Sequence, residues 1–215
     1  NPYVPMFVDL RGRRAVVVGG GAVAARKVES LAKSGARVLV VAPDVCREIA
    51  EIEGVTIERR PYREQDLDGA LVVIAATSDP RVNREVSEHA SSRGILCNVV
   101  DTPELCSFIV PSVVERGPIK VAISTGGLSP ALSRRLRRIV GTGIGDEYVT
   151  LAMVLGRIRP VVRSMSASSD DHRRVFEILI DSELLDAIRR SDRSRAEGIL
   201  REALGVDVDL EGILV

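Results

Sequence analysis

Three groups of residues in this 215-residue chain have types and spacings that could do chemistry. The first is Gly19-Gly-Gly21, which follows the apolar run Ala15-Val-Val-Val18 and opens into the proline-free stretch Ala22-Val-Ala-Ala-Arg-Lys27. Gly19, Gly21 and Ala24 fit the G-x-G-x-x-G/A spacing of a dinucleotide-binding turn. In such a turn the first glycine permits a sharp bend and the second leaves room for a pyrophosphate. The small third residue lets the helix pack closely on the strand. The free N–H groups at the start of that helix, with Ala22 and Val23 in its first turn, would meet the phosphates. Asp44, about 20 residues further on, has two readings. It could reach the adenosine ribose hydroxyls and favour NAD over NADP, or be a turn residue after Pro43.

The second group is a lone carboxylate. Asp101 closes the apolar run Ile95-Leu-Cys-Asn-Val-Val100. It lies at the strand end where a nicotinamide ring is expected, and its two readings are catalysis and a cap for the turn at Thr102-Pro103. The third group is Ser124-Thr-Gly-Gly-Leu-Ser-Pro130 followed by Arg134, Arg135, Arg137 and Arg138. Ser129 before Pro130 is a good N-cap with proline at the first helical position. The arginines read as a solvated helix face, a dimer surface, or a docking site for a polycarboxylate or phosphate.

The elements that must position these groups alternate strand and helix. Apolar runs at 15–18, 37–42, 70–76 and 95–100, with a short strand at 55–59, are separated by helical stretches at 22–34, 44–53 and 81–93. The continuous apolar character of the runs is that of strands covered on both faces. This is a Rossmann-type parallel α/β sheet, whose ligands sit beyond the carboxyl ends of the strands. Gly19–Gly21, Ala76-Thr77-Ser78 and Asn98-Val99-Val100-Asp101 therefore share one crevice. Next, 107–116 and 119–124 read as a hairpin around Gly117-Pro118. Residues 146–215 read as helices with breaks at Pro160, 164–171 and Gly205. Residues 2–9 read as a packed lead-in.

Composition narrows the function. Thirty basic and thirty acidic residues cancel, so no net charge draws the chain to nucleic acid or membrane. Aromatic residues are 3% with no Trp, which argues against a base-stacking surface. No apolar run reaches the ~20 residues of a membrane span. Cys46, Cys97 and Cys106 lack metal-type spacing, so no metal site is expected and reduced thiols in a cytoplasmic protein are the plain reading. His89 and His172 read as helix-surface histidines before candidate guides for a metal.

Six motifs, in order and spanning about residues 3 to 140, resemble the precorrin-2 dehydrogenase/sirohydrochlorin ferrochelatase family of siroheme biosynthesis, which includes the amino-terminal module of siroheme synthase. They are Phe7-Val-Asp-Leu-Arg-Gly-Arg13, Val16-Val-Val-Gly-Gly-Gly-Ala-Val-Ala-Ala-Arg-Lys27, Ala75-Ala-Thr-Ser-Asp79, Asn98-Val-Val-Asp101, Cys106-Ser-Phe-Ile-Val-Pro-Ser112 and Ser124-Thr-Gly-Gly-Leu-Ser-Pro-Ala-Leu-Ser-Arg-Arg-Leu-Arg137. The last two are more specific than the glycine turn.

The resemblance implies an NAD-binding domain at 1–112, a dimerisation segment at 113–145 and a helical domain at 146–215. It implies a homodimer that oxidises precorrin-2 to sirohydrochlorin with NAD, some members also inserting Fe2+ to give siroheme. Asp101 takes the place of the family's key aspartate, a proposed general base. Gly19, Gly20, Gly21, Ala22, Val23, Ala24, Asp44, Thr77, Ser78, Asn98 and Val99 are the expected cofactor contacts. The substrate carries eight carboxylates, for which Ser124, Thr125, Gly126, Gly127, Ser129, Arg134 and Arg135 are the expected contacts. Beyond about residue 145 the resemblance is of helices only. Two rivals remain: an NAD-binding sensor without turnover, and an NAD-linked oxidoreductase of another polycarboxylate.

Overall fold

The computed structural model describes residues 3–165 and 168–214. The chain divides into two compact units, Asn1–Val110 and Pro111–Val215. The first contains β1 (Arg14–Val18), α1 (Ala22–Lys33), β2 (Arg37–Val41), α2 (Arg47–Ala50), β3 (Thr56–Glu58), β4 (Ala70–Ala75), α3 (Pro80–Ser92) and β5 (Leu96–Val99). Its strands form one parallel sheet in the order β3-β2-β1-β4-β5.

Why these runs become central strands follows from burial on both faces. Val16, Val18, Leu39, Val41, Val73 and Ala75 pack on one side with Val86 and Ala90 of α3. The intervening Ala15, Val17, Val38, Val40, Val72 and Ile74 pack on the other with Ala24, Val28 and Leu31 of α1. The period-two pleat thus serves two apolar layers, and no polar alternation is required. From β1 the chain builds outward to β2 and β3, then returns to start β4 on the other side. The order reverses between β1 and β4, the switch point where open α/β sheets leave a crevice.

The second unit begins with an antiparallel hairpin of β6 (Ser112–Arg116) and β7 (Ile119–Ile123). Its turn uses Gly117 at φ +50°, where a Cβ would lie 2.8 Å from a methyl of Val149. Helix α4 (Pro130–Gly143) packs on β6, with Val114 buried. Then α5 (Asp146–Met165), α6 (Ser169–Ile180), α7 (Leu184–Arg189) and α8 (Arg193–Leu204) enclose a core containing Val154, Ile158, Leu179, Leu184 and Leu200. Gly205, left-handed at φ +70°, ends α8.

Several expectations need correction. The helix expected over 44–53 is the single turn Arg47–Ala50. Only Ile49 of that segment is fully buried, too little apolar surface to sustain a longer helix. Pro160 does not break α5, because Leu151, Val154, Ile158 and Val162 carry one buried face through it. That packing offsets the ~3 kcal/mol an interior proline costs. Strand β6 starts at Ser112 rather than 107; Pro111 cannot donate to a ladder, and the residues before it serve another purpose described below. The lead-in is exposed at Val4, Met6, Phe7 and Val8, not packed; its Pro2 lies outside the described residues, as do 166 and 167 of the break expected over 164–171. No single helix among the described residues is long and apolar enough to cross a membrane.

Candidate functional site

A crevice of about 890 Å³ opens at the β1/β4 switch point. Gly19, Gly20, Gly21, Ala22, Val23, Asp44, Thr77, Ser78 and Asp101 all line it. Ala24, Asn98 and Val99 do not. Ala24 is fully buried where α1 meets the sheet. Val99 is buried in the core, and Asn98 turns its amide to the carbonyl of Phe108.

The three glycines do different jobs. Gly19 sits at φ +128°, and a Cβ there would lie 2.3 Å from the Ala76 carbonyl oxygen, so it lets β1 and β4 close on each other. A Cβ on Gly20 would lie 1.9 Å from the Asp44 carbonyl oxygen; in return, the Gly20 carbonyl accepts from Cys46 N–H at 2.8 Å. A Cβ on Gly21 would meet nothing within 4 Å. The first two glycines answer to the protein, and the third answers to open space in the crevice.

That space adjoins an uncapped helix end. Gly21 is the N-cap of α1 with no side chain to accept from the first turn, and no acidic residue occupies that turn. By contrast, α3 is capped by Asp79, whose Oδ1 accepts from Arg81 N–H at 2.9 Å, and α4 by Ser129, whose Oγ accepts from Leu132 N–H at 3.2 Å. The free N–H groups and positive dipole end of α1 suit a phosphate. These residues fit a dinucleotide: a turn cleared of side chains, an anion-seeking helix end, and the exposed carboxylate of Asp44 at the end of β2.

Across the crevice, the β4–α3 loop is held by a residue the motifs do not reveal. Asn83, nearly buried on α3, donates to the Thr77 carbonyl at 3.1 Å, and its Oδ1 accepts from Thr77 N–H at 3.2 Å. Thr77 Oγ1 lies 2.8 Å from the same oxygen and accepts from Asp79 N–H at 3.1 Å. A lone buried polar position in the first turn of α3 was the available signal. Tyr62 closes another wall, with its Oη 3.1 Å from His89 Nδ1; burial raises the phenol well above its ordinary value. His89 also faces Glu64 at 4.0 Å. No group of three or more His, Cys, Asp or Glu side chains among the described residues could hold a metal.

Asp101 is exposed at the crevice in a left-handed conformation, φ +59°. Non-glycine residues in that region are uncommon, and Asp is among the few that tolerate it. Half-buried Lys27 on α1 feels its charge. Burial, then neighbouring Arg26, pushes the ammonium below the usual lysine range, and Asp101 acts the other way.

The expected substrate contacts lie in the second unit, on the β7–α4 loop. Gly126 and Gly127 are left-handed at φ +65° and +87°. Thr125 Oγ1 accepts from Ser129 N–H at 3.0 Å and lies 3.2 Å from Ser133 Oγ, and Ser124 Oγ accepts from Gly126 N–H at 3.0 Å. Ser124, Thr125 and Ser129 thus shape the loop and cap the helix. Arg134 and Arg135 are exposed, and no carboxylate pairs with either among the described residues.

Topology and crevice together define a Rossmann-type domain with a crevice that fits a dinucleotide, followed in the chain by a hairpin–helix unit. Comparison with known proteins agrees and goes further. Residues 6–112 match the NAD(P)-binding family model, and residues 116–141 match the sirohaem biosynthesis protein central model. Siroheme synthase of Pseudomonas paraeruginosa (strain DSM 24068 / PA7) is 40% identical over 205 residues, which is 94% of this chain and 44% of that protein. That of Thioalkalivibrio sulfidiphilus (strain HL-EbGR7) is 40% identical over 210 residues, 96% and 43% respectively. The chain thus spans less than half the length of these curated relatives. The solved structure of SirC, a precorrin-2 dehydrogenase, superposes with a TM-score of 0.77 at 25% identity, covering 95% of this chain and all of that one. Over nearly its whole length the chain is thus similar to siroheme synthases and to a precorrin-2 dehydrogenase.

Proposed function

We propose that the chain oxidises precorrin-2 to sirohydrochlorin with NAD, Asp101 acting as the catalytic base. The observation that carries this is Asp101 itself, a strained carboxylate on the crevice that also holds the cleared glycine turn. Backbone strain of this kind persists where the surrounding structure over-determines it, and such positions cluster at functional sites.

The overall change removes two hydrogens from the tetrapyrrole. One leaves as hydride with its electron pair, and the bound nicotinamide supplies the acceptor for it. The other leaves as a proton, and the Asp101 carboxylate takes it. Gly21 and the first turn of α1 hold the pyrophosphate. Asp44 accepts from the ribose hydroxyls, and its negative charge disfavours the 2′-phosphate of NADP. Arg134 and Arg135 grip substrate carboxylates through their planar forks, on the loop shaped by Ser124, Thr125, Gly126, Gly127 and Ser129.

The protein works as a homodimer through its hairpin–helix segment, where Val113, Leu132 and Ile139 stand exposed. Its three cysteines are unpaired, which suits the reducing cytoplasm.

The test mixes the pure protein anaerobically with enzymatically made precorrin-2 and NAD or NADP, following reduced cofactor and sirohydrochlorin by absorbance. The proposal expects both products to form together, faster with NAD, and without inhibition by simple tricarboxylates. Nucleotide binding without turnover would instead favour a sensor. Adding Fe2+ as a substrate afterwards asks whether siroheme forms above the spontaneous rate.

A further inference from the structure

Asp101 rides on a turn that the strand ladder leaves by its last bond, Val100 N–H to the Ala75 carbonyl at 2.9 Å. The turn itself, Val99-Val100-Asp101-Thr102, is closed by a long hydrogen bond from Thr102 N–H to the Val99 carbonyl, 3.3 Å. One bond of that length is modest restraint for a residue held at φ +59°. Thr102 Oγ1 adds a bond to the Val100 carbonyl at 3.3 Å and Leu105 N–H donates to the Thr102 carbonyl at 3.1 Å, and one side chain outside the turn reaches both of its ends.

Cys106 Sγ accepts from Val99 N–H at 3.1 Å. It also lies 3.2 Å from the Val99 carbonyl oxygen and 3.4 Å from that of Thr102, the acceptors between which its one hydrogen is shared. Both ends of the turn are therefore tied to one sulfur atom. Burial raises the thiol above its ordinary range, so it keeps the hydrogen it must donate.

The sulfur is itself fixed. Strand β5 is the edge of the sheet, and the segment 106–108 runs along its free side. Ser107 Oγ accepts from Cys97 N–H at 2.7 Å, Ser107 N–H donates to the Cys97 carbonyl at 2.8 Å, and Asn98 Nδ2 donates to the Phe108 carbonyl at 3.1 Å. Ser87 on α3 donates to the Leu105 carbonyl at 2.8 Å. This strap explains why 107–111 is not part of the hairpin: its side chains substitute for a sixth strand. We infer that Cys106 is a positioning residue for Asp101, its thiol pinning both ends of the turn that presents the carboxylate to the crevice. The inference rests on the dehydrogenase reading above.

The experiment is a double-mutant cycle of Cys106→Ala and Asp101→Ala, with Cys106→Ser as the conservative variant. Rates of NADH formation, NADH affinity by fluorescence, and amide hydrogen exchange at residues 99–102 are measured for each. Misplacing a catalytic group by ångströms costs up to ~100-fold, so Cys106→Ala should lower kcat by about 10- to 100-fold with NADH affinity unchanged. It should do nothing further once Asp101 is gone. Cys106→Ser, which keeps a donor and acceptor with a shorter reach, should recover part of the rate. Exchange at Val99 should accelerate in the alanine variant.

Equal losses with and without Asp101, wild-type kcat in Cys106→Ala, or loss of NADH binding in both Cys106 variants would each overturn the inference. The last would mean that the strap holds the domain rather than one side chain. Failure of the dehydrogenase reading looks different: the unmodified chain would make no NADH at all.

Discussion

Replacing Gly20 and Gly21 in turn by alanine separates what the protein needs from what the cofactor needs. At Gly20 the new Cβ would sit 1.9 Å from the Asp44 carbonyl oxygen and 2.9 Å from the Val45 Cα, all backbone. Contact distances there must grow by about 1.5 Å, which requires moving β2's exit loop, and overpacking against backbone costs about 3 kcal/mol or more. At Gly21 the backbone is extended, φ −86° and ψ −178°, which alanine adopts freely, and the Cβ touches nothing. The only protein cost is a poorer N-cap, about 0.5 kcal/mol. For a unit of this size those figures correspond to a Tm lowered by about 12 °C or more and by about 2–4 °C. Nucleotide binding should run in the opposite sense to that ranking. Gly21→Ala fills the phosphate cradle and should weaken NADH at least tenfold, about 1.4 kcal/mol, in a folded protein. Thermal melts read alongside NADH fluorescence titrations supply both numbers. Wild-type NADH affinity in a folded Gly21→Ala, or a wild-type melt for Gly20→Ala, would refute this assignment of roles.

Further outcomes follow from other sites. Asp101→Gly should raise stability by about 1 kcal/mol, because it removes the left-handed cost, while abolishing NADH formation; unchanged stability by urea denaturation would deny the strain. Asp66 is buried and takes two hydrogen bonds from Arg60, at 2.9 and 2.6 Å, and one from Arg63 N–H at 2.8 Å. Burial raises its pKa, but the Arg60 and Arg63 bonds outweigh it and leave the carboxyl below the usual range. Its contribution is therefore present above the unfolded carboxyl value near pH 4 and is lost as pH falls through the lower folded value. Asp66→Ala should cost about 3 kcal/mol at neutral pH and flatten that acid limb in denaturation curves. Arg134→Ala with Arg135→Ala should raise KM for the tetrapyrrole and lower the salt sensitivity of that KM, with no change in melting, since both guanidinium groups are exposed and unpaired among the described residues. Ile158→Ala should destabilise the helical unit by about 3 kcal/mol, measured by chemical denaturation, because its side chain is fully buried.

What the sequence made legible tracks how local the physics is. The runs 15–18, 37–42 and 70–76 announce central strands because burial on both faces leaves their inner residues apolar, with Arg37 exposed at the start of its strand. Gly19–Gly21 announces the crevice because backbone sterics dictate glycine at Gly19 and Gly20, while Gly21 leaves the turn clear of side chains. Pro160 misleads because a local rule is outweighed by a buried face of four residues, Leu151, Val154, Ile158 and Val162, that runs through it. The segment 44–53 misleads in the opposite way, having helical spacing but one buried anchor.

The polar bracing was the hardest part to read. Asn83 and Cys106 act through contacts 6 to 7 residues away in the chain, made possible by a loop geometry that no periodicity encodes. A cysteine in particular carries no sign that its sulfur will stand in for a backbone carbonyl. Asn98 and Val99 were drawn to the crevice by sequence proximity to Asp101, yet a strand's side chains alternate, and theirs turn to the edge strap and the core.

The central claim is that Asp101 takes the proton as hydride leaves the tetrapyrrole for the nicotinamide. It is tested most directly by the rate of anaerobic NADH formation from saturating precorrin-2 and NAD in Asp101→Ala, with NADH affinity measured on the same sample. A loss of about 100-fold or more, within the range expected for a general base, with unchanged NADH binding is the predicted result. Turnover at the wild-type rate in that variant would contradict it.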